Sequence, residues 1–217
     1  MASEIANKVK VHTIYKLADG TRVPSVTTVL GILAKPALLD WAWKMGQQGL
    51  DYKAVRDSAG DIGTLAHYLI MCHLKGEKPD TSEYSPQALN QAETCLLKYW
   101  DWEKGHQISP LLIEVPLVSE YYGFGGTIDF YGQVDGVFTL LDFKTGKAIY
   151  SEQFIQLAAY RELLAEANHP IDTTRILRIG KSEEEGFEER MAGDLGKHFD
   201  LFKHCLGIYN LQKELRK

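Results

Sequence analysis

The sequence predicts a mixed α/β fold (α+β), in which a central mixed sheet is flanked by helices and preceded by a mainly helical N-terminal part. Up to residue 106, apolar side chains recur with helical spacing in successive segments. From Gln107 onward the pattern changes to strand-like runs, which one predicted helix interrupts before a further strand. We therefore expect a single domain over residues 1–217, with a helical part (1–106), a sheet core with its crossover helix (107–191) and a C-terminal helix (192–217).

Capping residues and apolar spacing define the helices of the N-terminal part. Ser85-Pro86 has the order of an N-cap followed by a first-turn proline, and it predicts a long helix to about Glu103. A helix over Asp57–Lys75 would bury a stripe made of Ile62, Leu65, Ala66, Leu69 and Ile70. The other predicted elements are a short strand at Val11–Leu17, a helix over Val26–Leu33 capped by Ser25, and a helix over Leu38–Leu50.

The second half of the chain contains the predicted sheet. Asp135-Gly136 separates two strand-like runs and is a favoured two-residue hairpin turn. Phe138–Leu141 is almost continuously apolar, as in a central strand that is covered on both faces. The predicted strands are Ile108–Val118, Phe124–Gln133, Val137–Lys144, Thr173–Ile179 and an edge strand at Phe187–Met191, and the predicted helices are Glu152–Ala167 and Asp194–Glu214.

Composition and cysteine usage limit the class of protein. No apolar run reaches the length of a membrane span, and Met1–Lys10 is polar where a signal peptide would be apolar. We therefore expect a cytoplasmic protein without a membrane partner. The three cysteines are far apart and form no Cys-x-x-Cys pair, so neither a disulfide framework nor a zinc or iron–sulfur site is predicted for Cys72, Cys95 and Cys205.

The charge balance is acidic, with 24 basic and 29 acidic residues and a net charge of −5. Such a balance is not typical of a protein that binds nucleic acid over a broad surface. However, acidic residues that hold metal ions contribute negative charge themselves, and a local basic path can coexist with an acidic remainder. Metal-dependent chemistry on nucleic acid therefore stays open.

Asp129 and Asp142 flank the predicted hairpin turn. With a two-residue loop at Asp135-Gly136, each residue i pairs with residue 271 minus i, so Asp129 is expected directly opposite Asp142. Cross-strand neighbours have Cβ atoms about 5 Å apart, and two like charges at that distance destabilise a sheet unless something offsets them. Mg²⁺ or Mn²⁺, which prefer carboxylate oxygens, would offset them. The pair therefore predicts a metal site.

Lys144 adds a cationic side chain to the same face, because strand side chains alternate with period 2. Its ammonium group could orient or deprotonate a metal-activated water, or stabilise the charge of the transition state. The combination of two acids and one lysine predicts metal-dependent phosphodiester chemistry. The alternative is a surface hairpin with an ordinary ion pair between Lys144 and Asp142.

Five short motifs follow one another between about Pro24 and Tyr160. They are Gly63-Thr64-Leu65-Ala66-His67, Ile113-Glu114-Val115-Pro116, Gly126-Thr127-Ile128-Asp129, Asp142-Phe143-Lys144-Thr145-Gly146 and Gln156-Leu157-Ala158-Ala159-Tyr160. In order and spacing they resemble the PD-(D/E)XK nuclease superfamily, and in particular its RecB-like exonuclease branch. The opening Val23-Pro24-Ser25-Val26-Thr27 is similar to the phage and mitochondrial genome maintenance exonucleases of this group.

The resemblance implies a restriction-endonuclease-like core, and it adds metal ligands to the two aspartates. It implies the backbone carbonyl of Phe143 as a ligand and places His67 beside a second metal. Glu114 shares a strand face with Leu112 and Pro116, and it points either into the cleft, as a direct or water-mediated ligand, or into solvent. For His67 the alternative is an exposed or capped histidine on an amphipathic helix.

Gln156 and Tyr160 lie one helical turn apart and therefore share a helix face. The resemblance places this helix beside the active site, in contact with the substrate backbone or the catalytic lysine. Both are therefore predicted catalytic residues, together with Asp129, Asp142 and Lys144. The alternative is an ordinary amphipathic helix with a leucine core.

Two further groups of residues have a structural and a functional interpretation. Trp41, Trp43, Trp100 and Trp102 could stack on the bases of a single strand, but aromatic residues at helical spacing are usually buried, and we expect most of them in the core. Lys147 could contact phosphate, and a solvated lysine is the alternative.

These observations predict a metal-dependent DNA exonuclease that acts on DNA ends in phage or bacterial recombination, replication or repair. It would use Mg²⁺ or Mn²⁺ and no iron–sulfur cluster, because three scattered cysteines cannot supply the four ligands of a cluster. Its partner would be linear single- or double-stranded DNA, with a recombination or single-strand-binding protein as a candidate. The alternatives are a structure-specific endonuclease or an RNA-directed enzyme of the same fold, and a noncatalytic DNA-binding or assembly module.

Overall fold

The computed structural model describes residues 13–216. Its elements in chain order are β1 (Tyr15–Lys16), β2 (Arg22–Val23), α1 (Val26–Leu30), α2 (Pro36–Gln47), α3 (Tyr52–Lys75), α4 (Pro86–Glu103), β3 (Ile108–Ser119), β4 (Phe124–Val134), β5 (Val137–Lys144), α5 (Ser151–Glu166), β6 (Thr173–Ile179), β7 (Phe187–Met191) and α6 (Gly196–Glu214).

The main sheet has five strands in the order β3-β4-β5-β6-β7. Only β5 and β6 are parallel among these neighbours, and α5 makes the crossover between them. The predicted mixed central sheet flanked by helices is therefore confirmed. The strands β1 and β2 form a separate small ladder.

The hairpin between β4 and β5 has the predicted turn. Asp135 and Gly136 both have positive φ, +55° and +78°, as a type I′ turn requires. The ladder runs from Val134–Val137 to Phe130–Leu141, which confirms the register in which paired residue numbers sum to 271. It ends one residue before Asp129 and Asp142, so the two acids lie at the point where the strands separate.

Each face of the sheet is covered by its own helices. Side chains of α1, α5 and α6 pack on one face, and those of α3 and α4 pack on the other. Leu140 belongs to the first core and its neighbour Leu141 to the second, and both are fully buried. The prediction that β5 is a central strand covered on both faces is confirmed.

The N-terminal boundaries differ from the predicted ones for local reasons. α1 starts after Ser25, whose Oγ accepts from the Thr28 N–H at 3.0 Å, but it ends at Leu30 because the chain then tightens into i−3 hydrogen bonds. α3 starts five residues earlier than predicted because Asp51 caps it. Residues 11 and 12 of the predicted first strand lie outside the described residues.

None of the residues of helix α2 is buried, although its apolar side chains recur at helical spacing. Trp43 is 65% exposed and Leu39 is also exposed, so the prediction of a core position was wrong for Trp43. Trp102 is buried as predicted, and Trp41 and Trp100 are partly buried. The hydrophobic stripe predicted for α3 is confirmed, with all five of its side chains buried.

The cysteines lie in the hydrophobic interior. Cys72, Cys95 and Cys205 are buried free thiols. Across residues 13–216, no helix combines the length and the apolar character needed to cross a membrane.

The close passage of β3 over β4 gives a stability prediction at Gly132. A Cβ atom there would lie 2.3 Å from the Ser109 carbonyl oxygen and 2.9 Å from Pro110 Cα. We expect Gly132→Ala to lower the free energy of unfolding by about 1–3 kcal/mol, measured by urea denaturation, because backbone atoms must move.

The matched control is Gly46→Ala in α2. An added Cβ there meets no atom within 4 Å, and the residue lies in a helix. This control should raise the free energy of unfolding by about 0.5–1 kcal/mol. Equal stability of the Gly132 variant and the wild type would contradict the described approach of the two strands.

Candidate metal centre

Three neighbouring strands bring three carboxylates onto one row of the sheet. Beyond its bulge, β3 pairs with β4 so that residue numbers sum to 243, as in Ile113 with Phe130. This register places Glu114 opposite Asp129, and the register of β4 on β5 places Asp129 opposite Asp142. The three carboxylates concentrate negative charge at the end of the β4–β5 ladder. Like charges in cross-strand positions repel each other, so this arrangement destabilises the sheet unless it is neutralised.

Glu114 reaches the site through an unusual backbone conformation. Its φ is +54°, a left-handed value that costs a residue with a side chain about 1–2 kcal/mol. β3 also has a bulge between Pro110 and Leu112, and bulges redirect the side chains that follow. The Glu114 carboxylate lies 4.0 Å from Nδ1 of His67, so it points into the cleft rather than into bulk solvent.

His67 comes to the acids from α3. Its Nδ1 lies 3.6 Å from Oδ1 of Asp129. His67, Glu114 and Asp129 each offer one ligand atom, and these three atoms lie within 4.8 Å of one another. Among residues 13–216 there is no other group of three or more potential ligands this close together. In an octahedral Mg²⁺ site adjacent ligands lie about 3 Å apart and opposite ligands about 4.2 Å apart, so the three side chains would have to close by about an ångström to share an ion.

Asp142 and Lys144 form a buried pair beside this cluster. The Asp142 side chain is 1% exposed, and Lys144 Nζ lies 2.5 Å from its Oδ2. In the part of the chain that is described, Oδ2 of Asp142 is paired with this ammonium group and Oδ1 has no hydrogen-bond partner. A buried carboxylate in this state carries a large desolvation penalty, which a coordinated cation would offset.

The backbone of Phe143 holds Asp129 in place. The Phe143 N–H donates to Oδ2 of Asp129 at 2.8 Å. Because the β4–β5 ladder has ended, this bond from main chain to side chain replaces the next ladder bond. One Asp129 oxygen is thus anchored, and the other faces His67. The predicted role of the Phe143 carbonyl as a metal ligand stays a prediction.

The pKa values of the four ionisable site residues follow from burial and from one another. Burial, with the charge of Asp129, raises the pKa of Glu114 to about 7. Burial also raises the pKa of Asp142 to about 6, although Lys144 opposes the shift. Burial alone would raise the pKa of Asp129, but His67 and Lys144 outweigh it and lower that pKa. For His67, burial lowers the pKa and the two neighbouring acids raise it, with a net increase.

Gln156 and Tyr160 approach the acids from the other face of the sheet. Gln156 Nε2 donates to the Tyr160 hydroxyl at 2.7 Å, so the two share a helix face as predicted. Burial and the charges of Asp142 and Asp129 raise the pKa of Tyr160 well above its usual value. Gly126 makes this approach possible, because a Cβ there would lie 2.5 Å from the Tyr160 ring.

Sequence reasoning did not single out Tyr15, and it gave no role to Thr145, although Thr145 lies within one of the motifs. The Tyr15 hydroxyl lies 2.8 Å from Oγ1 of Thr127, and its ring packs on Gly125. Burial and the charge of Glu114 raise the pKa of Tyr15, although the bond to Thr127 opposes the shift. Thr145 contacts Gly63, where a Cβ would lie 2.7 Å from Thr145 Oγ1. Only the glycine in the first motif signalled this close approach, and nothing in the sequence signalled Tyr15.

The acids open into a cleft of about 620 Å³ between α3, the loop after it and the sheet. The buried Asp142, the partly exposed Lys144 and the exposed Lys147 are not among the residues that line it. The lining residues are Gly63, Thr64, His67, Tyr68, Met71, Asp80, Glu83, Tyr84, Glu114 and Asp129.

The donor set fits a hard divalent cation. It offers carboxylate oxygens from Glu114 and Asp129 and the imidazole of His67, and the buried Asp142 has one oxygen, Oδ1, without a partner among the described residues. Mg²⁺ and Mn²⁺ are both compatible with such ligands. His67, Glu114 and Asp129 could hold an ion at the cleft, and Asp142 could bind on its buried side.

The chain has a similar fold among solved structures. No family model matches the chain, and no curated protein matches it either. Among solved structures, the chain is similar to a crystal structure from Eubacterium rectale named "Putative exonuclease", with 15% identity and a TM-score of 0.46. The match covers 71% of this chain and 66% of the other, so it spans just under two thirds of the length of that protein.

The pKa shifts predict that the metal-free protein loses stability as the pH rises. Glu114 and Asp142 have folded-state pKa values above their usual 4.5 and 3.8, so the folded state binds more protons from about pH 4 to pH 7. His67, with its raised pKa, adds an effect of the same sign. We expect the Tm of metal-free protein to fall from pH 5.5 to pH 8, and Mg²⁺ to restore it at pH 8 by binding the deprotonated ligands.

Charge-neutral variants provide the control for this pH dependence. Glu114→Gln and Asp142→Asn should each make the Tm less sensitive to pH over the same interval, because each removes one group with a raised pKa. A wild-type Tm that rises from pH 5.5 to pH 8 without metal would contradict the described burial of these carboxyl groups.

The backbone of Glu114 gives a separate prediction. At a φ of +54°, glycine is favoured over any residue with a side chain, whereas in an ordinary strand it is less stable than alanine. We expect Glu114→Gly to unfold at a higher urea concentration than Glu114→Ala, with a difference of about 1 kcal/mol. The reverse order would indicate that Glu114 has normal strand geometry.

Proposed function

We propose that the chain is a metal-dependent DNA exonuclease that hydrolyses phosphodiester bonds at DNA ends. The observation that carries this proposal is the buried Asp142 carboxylate, whose Oδ2 pairs with Lys144 at 2.5 Å while its Oδ1 has no hydrogen-bond partner among the described residues. Asp129 lies opposite it in the strand register and shares the cluster with His67 and Glu114. A buried acid pair with an adjacent lysine suits a cation and a phosphate better than it suits a structural ion pair.

A bound Mg²⁺ or Mn²⁺ ion would polarise the scissile phosphate and lower the pKa of its coordinated water. Asp129, Asp142, Glu114 and His67 would hold the ion, with the Phe143 carbonyl as a further ligand. All of them are attached to strands or to a long helix, and Asp129 is also fixed by a backbone N–H. Such attachment keeps the ligands in place without substrate.

Lys144 would act directly on the reacting groups. Its side chain is partly exposed while its partner Asp142 is buried, so the ammonium group can contact Asp142 and a substrate oxygen together. It would donate hydrogen bonds to the attacking water and to a non-bridging phosphate oxygen, which stabilises the charge that develops there.

Tyr160 and Gln156 would position the acids and the phosphate. The raised pKa keeps the Tyr160 hydroxyl protonated. Because Gln156 donates to the oxygen of that hydroxyl, the tyrosine proton is available for a carboxylate or a phosphate oxygen. Loss of either residue should therefore disturb orientation more than metal binding.

The finer parts of the proposal rest on the resemblance in the motifs. We propose that the chain acts as one domain over residues 1–217, in the cytoplasm of a bacterium or as a phage product. Its role would be in recombination, replication or repair of DNA, together with a recombination or single-strand-binding protein. The opening motif at residues 23–27 supports the cluster-free phage and mitochondrial type.

Nuclease assays test the proposal directly. Purified protein with Mg²⁺ or Mn²⁺ is incubated with end-labelled linear single-stranded DNA, linear duplex and covalently closed circles. We expect degradation of linear DNA only. Asp142→Ala should be inactive, and Lys144→Ala should lose about 100-fold or more in kcat while metal affinity, measured by calorimetry, is retained.

Lys147→Ala is the matched lysine control, because Lys147 is exposed three residues away and should be dispensable for turnover. Nicking of closed circles would indicate an endonuclease instead. No cleavage of any substrate with either metal would contradict an enzymatic function, and near-normal turnover of Lys144→Ala would remove this residue from the mechanism.

A further inference from the structure

Strand β7 is an exposed edge of the main sheet. It pairs with β6 on one side, and no other strand among residues 13–216 pairs with it. Four of its five residues are exposed, and they include the large apolar side chains of Phe187 (36%) and Met191 (57%). An edge strand of this kind is a template for pairing with another strand.

The ladder between β6 and β7 determines which main-chain groups point outward. The Gly180 N–H donates to the Gly186 carbonyl, and the Ala192 N–H donates to the Thr174 carbonyl, both at 2.9 Å. In both pairs the residue numbers sum to 366, as they do throughout the ladder. Because hydrogen-bonded and non-hydrogen-bonded pairs alternate in an antiparallel ladder, the even-numbered residues of β7 bond to β6. The residues that direct N–H and C=O outward are Phe187, Glu189 and Met191.

The outward groups of β7 match those of a second copy. When two β7 strands lie antiparallel about Glu189, the paired residue numbers sum to 378. Phe187 then lies opposite Met191 of the second copy, and Glu189 lies opposite its own equivalent. All of these pairs consist of residues with outward main-chain groups, so each pair can exchange two hydrogen bonds. The same register places the exposed Phe187 and Met191 side chains in contact across the two copies.

The charged side chains on the other face of β7 also match in this register. Glu188 lies opposite Arg190 of the second copy, and symmetry makes this pair twice. Opposite charges in such cross-strand positions stabilise a sheet. Arg190 is 48% exposed and pairs with Glu188 of its own strand, so it can turn to the equivalent carboxylate of the second copy. Arg178, whose Nε lies 3.3 Å from Oε2 of Glu188, holds that carboxylate in place.

Glu189 meets its own equivalent at the centre, but its charge is already offset. Its carboxylate accepts from Nη1 of Arg175 at 2.8 Å and from Nε1 of Trp102 at 3.1 Å. Trp102 belongs to α4, so the carboxylate turns towards the helix of its own copy. The central pair therefore contributes main-chain hydrogen bonds without direct repulsion between free carboxylates.

The hairpin that presents β7 is fixed to the rest of the fold. Lys98 Nζ donates to the carbonyls of Gly180 at 3.2 Å and Gly186 at 3.4 Å, and it also contacts the Ser182 carbonyl. Arg178 Nη1 donates to the Glu185 carbonyl at 2.6 Å. The edge is thus ordered before a second copy binds, which reduces the entropic cost of pairing.

The opposite edge of the sheet cannot pair in this way. In β3, Pro110 and Pro116 have no N–H, a bulge follows Pro110, and Glu114 has a φ of +54°. Proline and bulges are the features that protect edge strands from pairing. β7 has neither, and its ladder with β6 has no register shift. Pairing through one edge about a twofold axis gives a closed dimer rather than a fibre.

We propose that β7 pairs antiparallel with β7 of a second copy about Glu189, which joins two five-stranded sheets into one continuous sheet. The occupant of the edge is a second copy because both the apolar and the charged side chains of β7 match their own twofold image. This assembly does not depend on the nuclease function. A strand of five residues buries little surface, so we expect a weak dimer with a Kd of about 1–100 μM.

Sedimentation velocity of the full chain tests the dimer, over protein concentrations from about 1 to about 200 μM. We expect a reversible shift from monomer to dimer. Met191→Pro should raise the Kd about tenfold or more, because it removes an outward N–H that β6 does not use, at an edge position where proline is tolerated. Met191→Ala is the matched control. It keeps the N–H, so it should raise the Kd by about threefold at most.

Exchange of charges tests the register. Glu188→Lys and Arg190→Glu each place like charges opposite each other, and each variant alone should dimerise about tenfold more weakly than the wild type. In an equimolar mixture opposite charges face each other again, so the mixed dimer should form with a Kd within about threefold of the wild-type value. The Tm of each variant shows that it is folded. Arg190→Glu changes an exposed side chain, and it tests the charge pairing even if Glu188→Lys does not fold.

Three results would overturn the proposed pairing. A wild type that stays monomeric over the whole concentration range would leave the edge to a strand of a different protein. A dimer whose Kd is the same in Met191→Pro would use another surface. A mixture of the two charge variants that associates no better than either variant alone would contradict the register about Glu189.

Discussion

Mutual repulsion among three carboxylates on one row of β3, β4 and β5 is the constraint around which the site is built. Glu114, Asp129 and Asp142 are held together by strand register rather than by any attraction between them. The surrounding contacts reduce the cost of this arrangement. A backbone N–H binds Asp129, Lys144 pairs with Asp142, and His67 lies between Glu114 and Asp129. The remaining negative charge is reduced by protonation, as the raised pKa values of Glu114 and Asp142 indicate, and a bound cation would offset it as well.

The helices on the two faces of the sheet bring different side chains to the three carboxylates. On one face α3 passes the site closely because Gly63 has no side chain to meet Thr145, and this passage brings His67 to the acids. On the other face α5 approaches through Gly126, and it brings Tyr160. Both contacts depend on glycines within the motifs. Gly63 and Gly126 thus allow the helices to pack closely on the sheet, whereas Gly136 adopts the positive φ that the turn requires.

The sequence predicts the elements well where local rules determine them, and less well where packing decides. The Asp135-Gly136 turn fixed the register of the hairpin, and the Ser85-Pro86 cap fixed the start of α4. The position of Glu114 opposite Asp129 was not predictable, because it depends on a bulge and a positive φ that strand alternation does not reveal. Trp43 was misassigned because helical periodicity cannot tell whether a neighbour covers the apolar face. Tyr84 lies near the site only through the fold of a loop.

The three acidic strands are consecutive in the chain, and this continuity has a consequence for folding kinetics. β3, β4 and β5 form one meander over residues 108–144, so the carboxylate row closes through short loops and local contacts. Such contacts are expected to form early, before β6 adds its parallel pairing from beyond the crossover helix. Electrostatic repulsion would then destabilise the folding nucleus itself. Divalent cations in the refolding buffer would therefore increase the folding rate, rather than only decrease the unfolding rate.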